Sequence, residues 1–357
     1  MIAAAVIGCG RMGAFTSDSV RRFAPDCWFP LAHAEAIAAH PDVTLAALCD
    51  PQPENLARAR TAYGDPPGYA DVATLAAEVR PSLVGIATRT IGRAQIIQTL
   101  FDHGTRAFHI EKPLCNSVAE LDALTPVLMR DDVFATYGSV RRFFDIYARA
   151  VAMVREGAIG ELTEIRANFG PGALYWVHPH AIDLILFAAA GRQVTGVQAR
   201  FGEIEPGERP GEVANDPVIQ SATIWFDDGV AGHIGRAPGL DLVLSGTTGE
   251  IAVRSDGRGI EIAVARGDDP YLLRNPVDMP AMQAAQGTLA PVSQLAACLQ
   301  GDADAIAANR INKRDILTGQ RIAFAMLASH ARGSAIVGFD AIDPATAVLA
   351  RTGGNYA

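Results

Sequence analysis

The sequence predicts an α/β protein. An N-terminal Rossmann domain with a doubly wound parallel sheet is followed by an α+β domain with a large, mostly antiparallel open sheet. Short apolar runs alternate with helical stretches in the first part of the chain, as in a parallel sheet covered by helices. A glycine-rich turn follows the first of these runs. Later strands follow one another directly. The 357 residues are enough for two domains at about 100–200 residues each.

The first domain is predicted from five strands and three helices. The strands are expected at Ile2–Ile7, Val43–Cys49, Leu83–Ala87, Arg106–Ile110 and Val133–Val140. The helices are expected at Glu54–Tyr63, Ala94–Phe101 and Val118–Met129. Because the strands are apolar without alternation, helices should cover both faces of their sheet. We therefore place a dinucleotide-binding Rossmann domain at residues 1–138 and an α+β domain at residues 139–357.

The second domain begins with a helix, a strand and an apolar helix, expected at Tyr147–Glu156, Leu162–Phe169 and Ala173–Ala190. Strands of an open sheet are then expected at Val194–Phe201, Ala222–Phe226, Ala231–Ile234, Leu240–Ser245, Glu250–Arg254 and Ile260–Ala265. Helices return at Val292–Leu299 and Arg314–Ala331.

The composition argues against several classes of function. The 30 basic and 39 acidic residues give a net charge of −9, so nothing indicates a nucleic-acid partner. No apolar run reaches the roughly 18 residues that a membrane span needs. Five scattered cysteines without a CxxC pair argue against a structural metal site and fit a reducing, cytoplasmic compartment.

The glycine turn after the first strand has the spacing of a dinucleotide-binding site. Gly8 permits the tight turn, Gly10 lets the backbone approach a pyrophosphate, and Gly13 permits close packing of helix on strand. The following helix would direct free N–H groups at the phosphates, so Arg11 and Met12 join the predicted cofactor contacts. A chance glycine turn is the alternative, and the surrounding strand–helix series argues against it.

Asp50 ends the second strand, where an acidic side chain can bind a ribose hydroxyl and repel a 2′-phosphate. This favours NAD over NADP, although Asp50 can instead cap the helix that follows. Asp50 lies 37 positions beyond Gly13, whereas the usual spacing is about 20. We place the surplus in a loop insertion, Phe15–Leu31, after the first helical turn. This insertion, with Trp28, either lines a substrate pocket or is a packed excursion or an interface.

A lysine follows the fourth strand in the segment Glu111-Lys112-Pro113. This places Lys112 at the carboxyl edge of the parallel sheet, where ligands bind in such folds. An ordinary surface lysine is the alternative. Thr88 follows the third strand and is a candidate cofactor contact, as is Glu111. Arg89 or Arg93 either binds an anionic substrate group or is solvated.

Together these motifs resemble the glucose–fructose oxidoreductase/inositol dehydrogenase (Gfo/Idh/MocA) family. The resemblance extends over almost the whole chain and rests on these segments: Val6–Gly13, Cys49-Asp50, Glu111–Leu114, Gly138–Phe143, Glu156–Glu161, Pro179–Asp183 and Gly246–Glu250. It implies NAD(P)-linked oxidation or reduction of a sugar, modified sugar or cyclitol. It also implies a homodimer or homotetramer built through the sheet of the second, substrate-binding domain. Lys112 would bind the reacting oxygen, and His180 would be the acid/base.

The sequence departs from the family pattern in two places, at Thr88–Arg93 and at Trp176. Trp176 stands four residues before His180, where relatives commonly have Asp, and indole cannot shuttle a proton. Helical spacing would put Trp176 and His180 on one face. Tyr175 and His178 are candidates to replace the missing acid. The alternative for His178 is that it caps the helix or packs on it. The expected substrate pocket contains Trp28, Arg142, Trp176 and Asp183. The alternative for Trp176 is a core residue, and Asp183 is also a candidate to orient the His180 ring.

Two other functions use the same fold. An NAD-dependent glycosidase would release sugar with no net change in cofactor absorbance. A non-catalytic NAD-binding sensor or partner protein would bind the cofactor without redox exchange.

Overall fold

The computed structural model describes residues 1–24, 26–265, 267, 274–277 and 286–350. Contacts divide the chain into two compact units. The first comprises residues 1–140 together with 286–317, and the second comprises the described residues from 141 to 277 together with 318–350. The sequence placed the first break at residue 138 and assigned 286–317 to the second domain. These residues join the first unit because Val292, Leu295 and Ala296 are buried in the core formed around the first strand.

The elements are numbered along the chain. The strands are β1 Ile2–Ile7, β2 Val43–Cys49, β3 Gly68–Tyr69, β4 Leu83–Ile86, β5 Ala107–Ile110, β6 Phe134–Tyr137, β7 Leu162–Asn168, β8 Val194–Phe201, β9 Glu212–Val213, β10 Ile219–Phe226, β11 Ala231–Gly235, β12 Asp241–Gly246, β13 Gly249–Arg254, β14 Gly259–Ala265, β15 Arg274–Val277 and β16 Ala347–Val348. The helices are α1 Asp18–Phe23, α2 His33–Ala39, α3 Pro53–Ala62, α4 Val72–Val79, α5 Arg93–Asp102, α6 Val118–Leu128, α7 Asp145–Arg155, α8 His178–Ala189, α9 Leu289–Leu299 and α10 Ala303–Ala331.

The first unit is built on a six-stranded sheet with the order β3-β2-β1-β4-β5-β6. Its neighbouring strands are parallel, which confirms the predicted Rossmann fold. The outer edge of β6 is covered by α10, because the Asn309 side chain both donates to the Ala135 carbonyl (3.0 Å) and accepts from its N–H (3.2 Å). Lys313 donates to the carbonyls of Arg130 and Val133 at 2.7 and 2.6 Å. These bonds occupy edge groups that would otherwise offer a template for another strand.

The helix after the glycine turn is interrupted by an inserted excursion. One turn forms, with Ala14 N–H donating to the Gly10 carbonyl (3.0 Å), and the chain then leaves the helix. At α2 the helix resumes, because the N–H groups of His33 and Ala34 donate to the carbonyls of Met12 and Gly13 at 2.9 and 2.8 Å. Removing the 18 residues 15–32 from the 37 positions before Asp50 leaves 19, close to the usual spacing of about 20. The predicted insertion is thus confirmed.

Both ends of the excursion are tied down. At its neck, the Glu35 carboxylate accepts from the Thr16 hydroxyl (2.9 Å) and from the Ala32 N–H (3.2 Å). Thr288, just before α9, donates from its N–H to the Pro30 carbonyl (2.8 Å) and from its hydroxyl to the Leu31 carbonyl (2.6 Å). The excursion is therefore a packed part of the first unit.

The second unit contains an eight-stranded sheet with the order β15-β14-β13-β12-β7-β11-β10-β8. β7 and β11 are parallel, and the other neighbouring strands of this sheet are antiparallel. This confirms the predicted mostly antiparallel sheet. α8 packs on it so closely that a Cβ on Gly232 would lie 2.4 Å from Ile185. In the part of the chain that the structure describes, no helix combines the length and apolarity needed to cross a membrane.

The start of α8 corrects the prediction, which had the helix beginning at Ala173. Ala173 instead pairs with Val218 in an isolated bridge. The N–H groups of Tyr175 and Trp176 donate to the Asp216 carboxylate at 2.7 and 2.9 Å, which holds this segment in a turn. The helix starts only at His178, with a proline in its first turn, where proline is favoured. Because Trp176 precedes the helix, the argument from helical spacing to His180 was wrong.

Candidate functional site

The glycine turn is closed on one side and open on the other. Gly8 has a φ of +91° and donates its N–H to the Cys49 carbonyl at 2.8 Å. A Cβ on Gly13 would lie 1.6 Å from the Gly8 carbonyl oxygen, so only glycine fits there. A Cβ on Gly10 would meet nothing within 4 Å. The space beside Gly10 fits the approach of a pyrophosphate, and Arg11 and Met12, both half-buried, lie on the same turn.

Asp50 is buried at the end of β2, with 6% of its surface exposed. One carboxylate oxygen accepts from the Cys9 N–H in the glycine turn (2.7 Å), and the other accepts from the Gln52 N–H before α3 (2.8 Å). Gln52 is the N-cap residue of α3, and among the described residues no side-chain hydrogen bond caps this helix, so the capping alternative for Asp50 was wrong. Its contact with a ribose stays a prediction. Burial, together with the nearby charge of Asp50, raises the pKa of the Cys9 thiol to about 12 and keeps it neutral.

Glu111, at the end of β5, belongs to a buried polar cluster. His33 is fully buried, and its Nε2 donates to Glu111 Oε1 at 3.2 Å. The His33 and His109 rings lie 4.5 Å apart between centroids. His109 Nδ1 bonds the Thr136 hydroxyl at 2.9 Å. The register places Gly85, His109 and Thr136 in one row across β4, β5 and β6, so the cluster lies on one face of the sheet.

Charge in this cluster is concentrated on Glu111. Burial alone would raise its pKa, but the hydrogen bond from His33 and the charges of His33 and Lys112 outweigh burial and lower the pKa to about 2. For His109, burial is the main cause, and its pKa lies well below the ordinary value. Glu111 is thus ionised at neutral pH beside Lys112, which is half-buried.

Two glycines make room for the cluster. A Cβ on Gly138 would lie 2.8 Å from Glu111 Oε1, and one on Gly85 would lie 2.8 Å from His33 Nδ1. Glycine inside an apolar strand often marks a close approach of another group. Gly85 was therefore the sequence signal that could have revealed His33, which the sequence analysis missed.

Arg93, the first residue of α5, is 1% exposed. Its guanidinium donates to the backbone carbonyls of Glu111 (2.5 Å), Pro113 and Thr88. The expectation that Arg93 binds a substrate anion or is solvated was wrong, because its donors already bind these carbonyls inside the protein. Arg89 is exposed, and Thr88 is half-buried. The Thr88 carbonyl and the two carbonyls flanking Lys112 thus share one side chain.

The predicted catalytic residues around α8 differ in exposure. His178 is fully buried, and burial, only partly offset by the Gly172 backbone, lowers its pKa to about 4. The Tyr175 hydroxyl is buried and accepts from Gln320 Nε2 at 3.0 Å. Trp176 and His180 are half-buried. The sequence analysis missed Asp216, which binds the Tyr175 and Trp176 amides from a distant loop. The catalytic roles of Tyr175, His178 and His180, and the pocket role of Trp176, stay predictions.

Asp183 and Arg142, both expected in the substrate pocket, form a buried ion pair. Arg142 Nη2 lies 2.8 Å from one Asp183 carboxylate oxygen, and Nε donates to the other at 3.0 Å. Arg142 also donates to the Asp183 carbonyl (3.1 Å) and stacks on Phe187, with 5.3 Å from the guanidinium carbon to the ring centroid. Trp28, in the excursion, is half-buried. Contact of these side chains with a substrate stays a prediction.

A group of three or more histidine, cysteine, aspartate or glutamate side chains able to hold a metal ion does not occur among residues 1–24, 26–265, 267, 274–277 and 286–350.

Comparison with known proteins bears on the first part of the chain and on the fold. Residues 2–139 match the model of a family described as an oxidoreductase family with an NAD-binding Rossmann fold, GFO_IDH_MocA. Over these residues the match agrees with the family resemblance, and it agrees with NAD as the cofactor. No curated protein sequence matches the chain.

Solved structures share the fold over nearly the whole chain. An oxidoreductase from Agrobacterium radiobacter in complex with NAD⁺, L-tartaric acid and magnesium has a TM-score of 0.69 at 19% identity, covering 96% of this chain and 99% of that one. Levoglucosan dehydrogenase with NADH and levoglucosan has 0.69 at 18%, covering 94% and 98%. Scyllo-inositol dehydrogenase from Lactobacillus casei with NAD(H) and scyllo-inositol has 0.64 at 19%, covering 95% and 99%. At these identities the likeness establishes the fold alone.

Proposed function

We propose, from the match of residues 2–139 to the model of the GFO_IDH_MocA oxidoreductase family, that this chain is an NAD-dependent dehydrogenase or reductase of a sugar, modified sugar or cyclitol. Bound NAD would accept hydride from a carbinol carbon of the substrate, or NADH would return it to a carbonyl carbon. The observation that carries the proposal is the segment Glu111–Pro113, which presents Lys112 at the carboxyl end of β5 within a buried set of polar groups.

Lys112 would bind the substrate oxygen. A protonated amine stabilises negative charge that develops on that oxygen as hydride moves. Lysine is rare here, since only Lys112 and Lys313 occur among the 30 basic residues and the others are arginine. Lys313 is used as a buried donor to backbone carbonyls. The other lysine stands at the position where the family has its substrate-binding lysine.

His180 would move the proton. Imidazole has an ordinary pKa near 6.5, suited to acid/base work at neutral pH. His178 is neutral at this pH because burial lowers its pKa to about 4. We therefore assign His178 and Tyr175 a supporting role in shaping the segment around His180.

Asp50 would select NAD over NADP. Its two oxygens are held by the Cys9 and Gln52 amides, so the carboxylate cannot easily turn away from a ligand at this edge. A 2′-phosphate placed beside it would meet a fixed negative charge. The same oxygens keep lone pairs for a ribose hydroxyl.

The first test compares cofactors in thermal unfolding. NADH at a hundred times its dissociation constant should add about 2.7 kcal/mol and raise the midpoint. NADPH should add much less, and Asp50→Ser should narrow the difference. A midpoint shift with NADPH but not NADH would show the cofactor assignment to be wrong.

The second test is a screen of sugars, sugar acids and cyclitols for change in NADH absorbance. On a confirmed substrate, Lys112→Ala should lower kcat/KM by roughly 10²–10³-fold, the usual range for loss of one donor that stabilises developing negative charge. Lys112→Arg is the control, because it keeps the positive charge but replaces the ammonium by a planar guanidinium. This variant should also lose most activity. Wild-type turnover in Lys112→Ala would show that Lys112 does not stabilise the substrate oxygen and that the mechanism is wrong. Sugar release without net absorbance change would replace it by a glycosidase reaction.

A further inference from the structure

We propose that Arg93 is a positioning residue for Lys112, acting through the backbone on both sides of it. This inference rests on the proposed function, in which Lys112 binds the substrate oxygen. Arg93 itself touches neither substrate nor reacting atoms, because its side chain is 1% exposed.

The geometry of the guanidinium carries the proposal. Nη1 donates to the carbonyl of Glu111, the residue before Lys112, at 2.5 Å. The same nitrogen donates to the carbonyl of Pro113, the residue after it. Nη2 donates to the carbonyl of Thr88, which follows the neighbouring strand β4. One planar guanidinium therefore binds the Glu111–Lys112 peptide group and the Pro113–Leu114 peptide group, one on each side of the Lys112 Cα, and links both to the loop after β4.

The energetics argue against a purely stabilising role. Burying a charge is costly unless it is paired, and in the described chain no carboxylate oxygen lies within salt-bridge distance of this guanidinium. Burial lowers the pKa of Arg93, and the charge of Glu111 opposes that effect. An apolar side chain of similar volume would avoid the cost of burying the charge. The presence of a buried arginine at this position is therefore explained by its hydrogen bonds to three carbonyls, whose relative positions it fixes.

Lysine cannot substitute for this arrangement. Arginine presents several N–H donors in one plane, whereas lysine offers one nitrogen on a flexible stem. Arg93→Lys keeps the positive charge and much of the volume but loses the fork. This variant therefore separates positioning from electrostatics, and Arg93→Met removes both.

The first readout needs neither substrate nor cofactor. Because the chain has only two lysines, an amine-reactive acetylating reagent followed by peptide mass spectrometry reports Lys112 directly. Lys313, 3% exposed and bonded to two carbonyls, is the internal buried reference. In Arg93→Met and Arg93→Lys we expect the half-buried Lys112 to be labelled at least about threefold faster, while labelling of Lys313 stays at the wild-type rate. Arg130→Lys, at an exposed arginine paired with Asp132, is the matched control with unchanged Lys112 labelling.

The second readout separates positioning from binding. On a confirmed substrate, kcat should fall about 10²-fold in both Arg93 variants, the scale expected for a small misplacement of a catalytic group. KM and the NADH dissociation constant should change by less than about threefold. A structural role alone would lower the unfolding midpoint without this split between kcat and KM.

The outcomes are decisive in both directions. Folded Arg93→Met with wild-type labelling and kcat would overturn the proposal, as would wild-type behaviour of Arg93→Lys, because the fork would then be unnecessary. If Arg93→Met does not fold, Arg93→Lys decides. If the wild-type protein shows no hydride exchange, the proposed function fails, whereas the labelling readout still tests whether Arg93 holds Lys112.

Discussion

The end of β5 and the start of α8 each contain a predicted catalytic residue near a histidine that solvent does not reach. Their surroundings differ. His33, beside the end of β5, donates to the Glu111 carboxylate at 3.2 Å. At the start of α8, burial lowers the pKa of His178 to about 4, and the Gly172 backbone offsets only part of this effect. At the end of β5, Glu111 is therefore ionised next to Lys112. At the start of α8, His178 is neutral at pH 7.

This difference separates two uses of a buried histidine. A carboxylate partner makes the ring a fixed donor, which holds Glu111 and the chain that leads to Lys112. Burial without a carboxylate partner makes the ring a neutral packing group. Around α8, charge is found instead on the Arg142–Asp183 pair. The predictions below test whether the two regions differ in this way.

The largest expected effect is loss of that pair. Arg142→Met should lower the free energy of unfolding by about 3–5 kcal/mol, because it leaves the Asp183 carboxylate buried without its partner. Denaturant unfolding measures this directly. Arg149→Met is the matched control, since the Arg149–Glu156 pair is exposed and should contribute about 0–1 kcal/mol.

The double variant Arg142→Met/Asp183→Leu sharpens the test. Replacing both members of a buried pair by apolar groups should recover most of the loss. If Arg142→Met alone is as stable as the wild type, the pair is not closed in solution, and α8 does not hold its charge as described.

The next effect is a loss of stability at acidic pH, which we expect in two separate pH ranges. The unfolded His178 ring binds a proton below pH 6.5, whereas the folded ring, with its pKa lowered to about 4, does not. The unfolded state therefore binds more protons in this window, and stability falls by about 3 kcal/mol as pH drops from 6.5 to 4. For Glu111 the lowered pKa of about 2 contributes a similar stability above pH 4.5, which is lost as pH falls to 2.

Two variants test whether the loss of stability in each pH range comes from His178 or from Glu111. His178→Leu should remove up to about 3 kcal/mol of the fall between pH 6.5 and 4, relative to the wild type, in which His109 and His233 also have lowered pKa values. Glu111→Gln should flatten the profile between pH 4.5 and 2 only. Identical pH profiles for wild type and His178→Leu would mean that water reaches the ring.

The sequence predicted the two regions unequally, for a physical reason. Strand ends and glycine spacing are local patterns, so the glycine turn, Asp50 and the position of Lys112 at the end of β5 followed from residues adjacent in the chain. His33 lies 78 positions before Glu111, and the sequence marks its contact only indirectly, through Gly85 in β4. Arg93 lies 18 positions before Glu111, but no local pattern shows that its side chain binds backbone carbonyls inside the protein. At α8 an apolar stretch predicted a helix from Ala173. The helix begins later because Asp216, 40 residues after Trp176, accepts hydrogen bonds from the N–H groups of Tyr175 and Trp176. Periodicity cannot reveal a partner at that separation.

The smallest effect comes from the glycine that faces Glu111. Gly138→Ala should lower the free energy of unfolding by about 1–3 kcal/mol, because its Cβ would lie 2.8 Å from Glu111 Oε1. The carboxylate is bonded to His33 and is not the loose end of a surface side chain, so it cannot move away cheaply. Faster labelling of Lys112 in this variant would show that displacement of Glu111 reaches the lysine.

Gly259→Ala is the control, since its Cβ would meet nothing within 4 Å, and the change should stay within about 0.5 kcal/mol. If Gly138→Ala is equally neutral, Glu111 must be free to shift in the folded protein. The end of β5 would then not be the rigid, charged region that its contrast with the start of α8 requires.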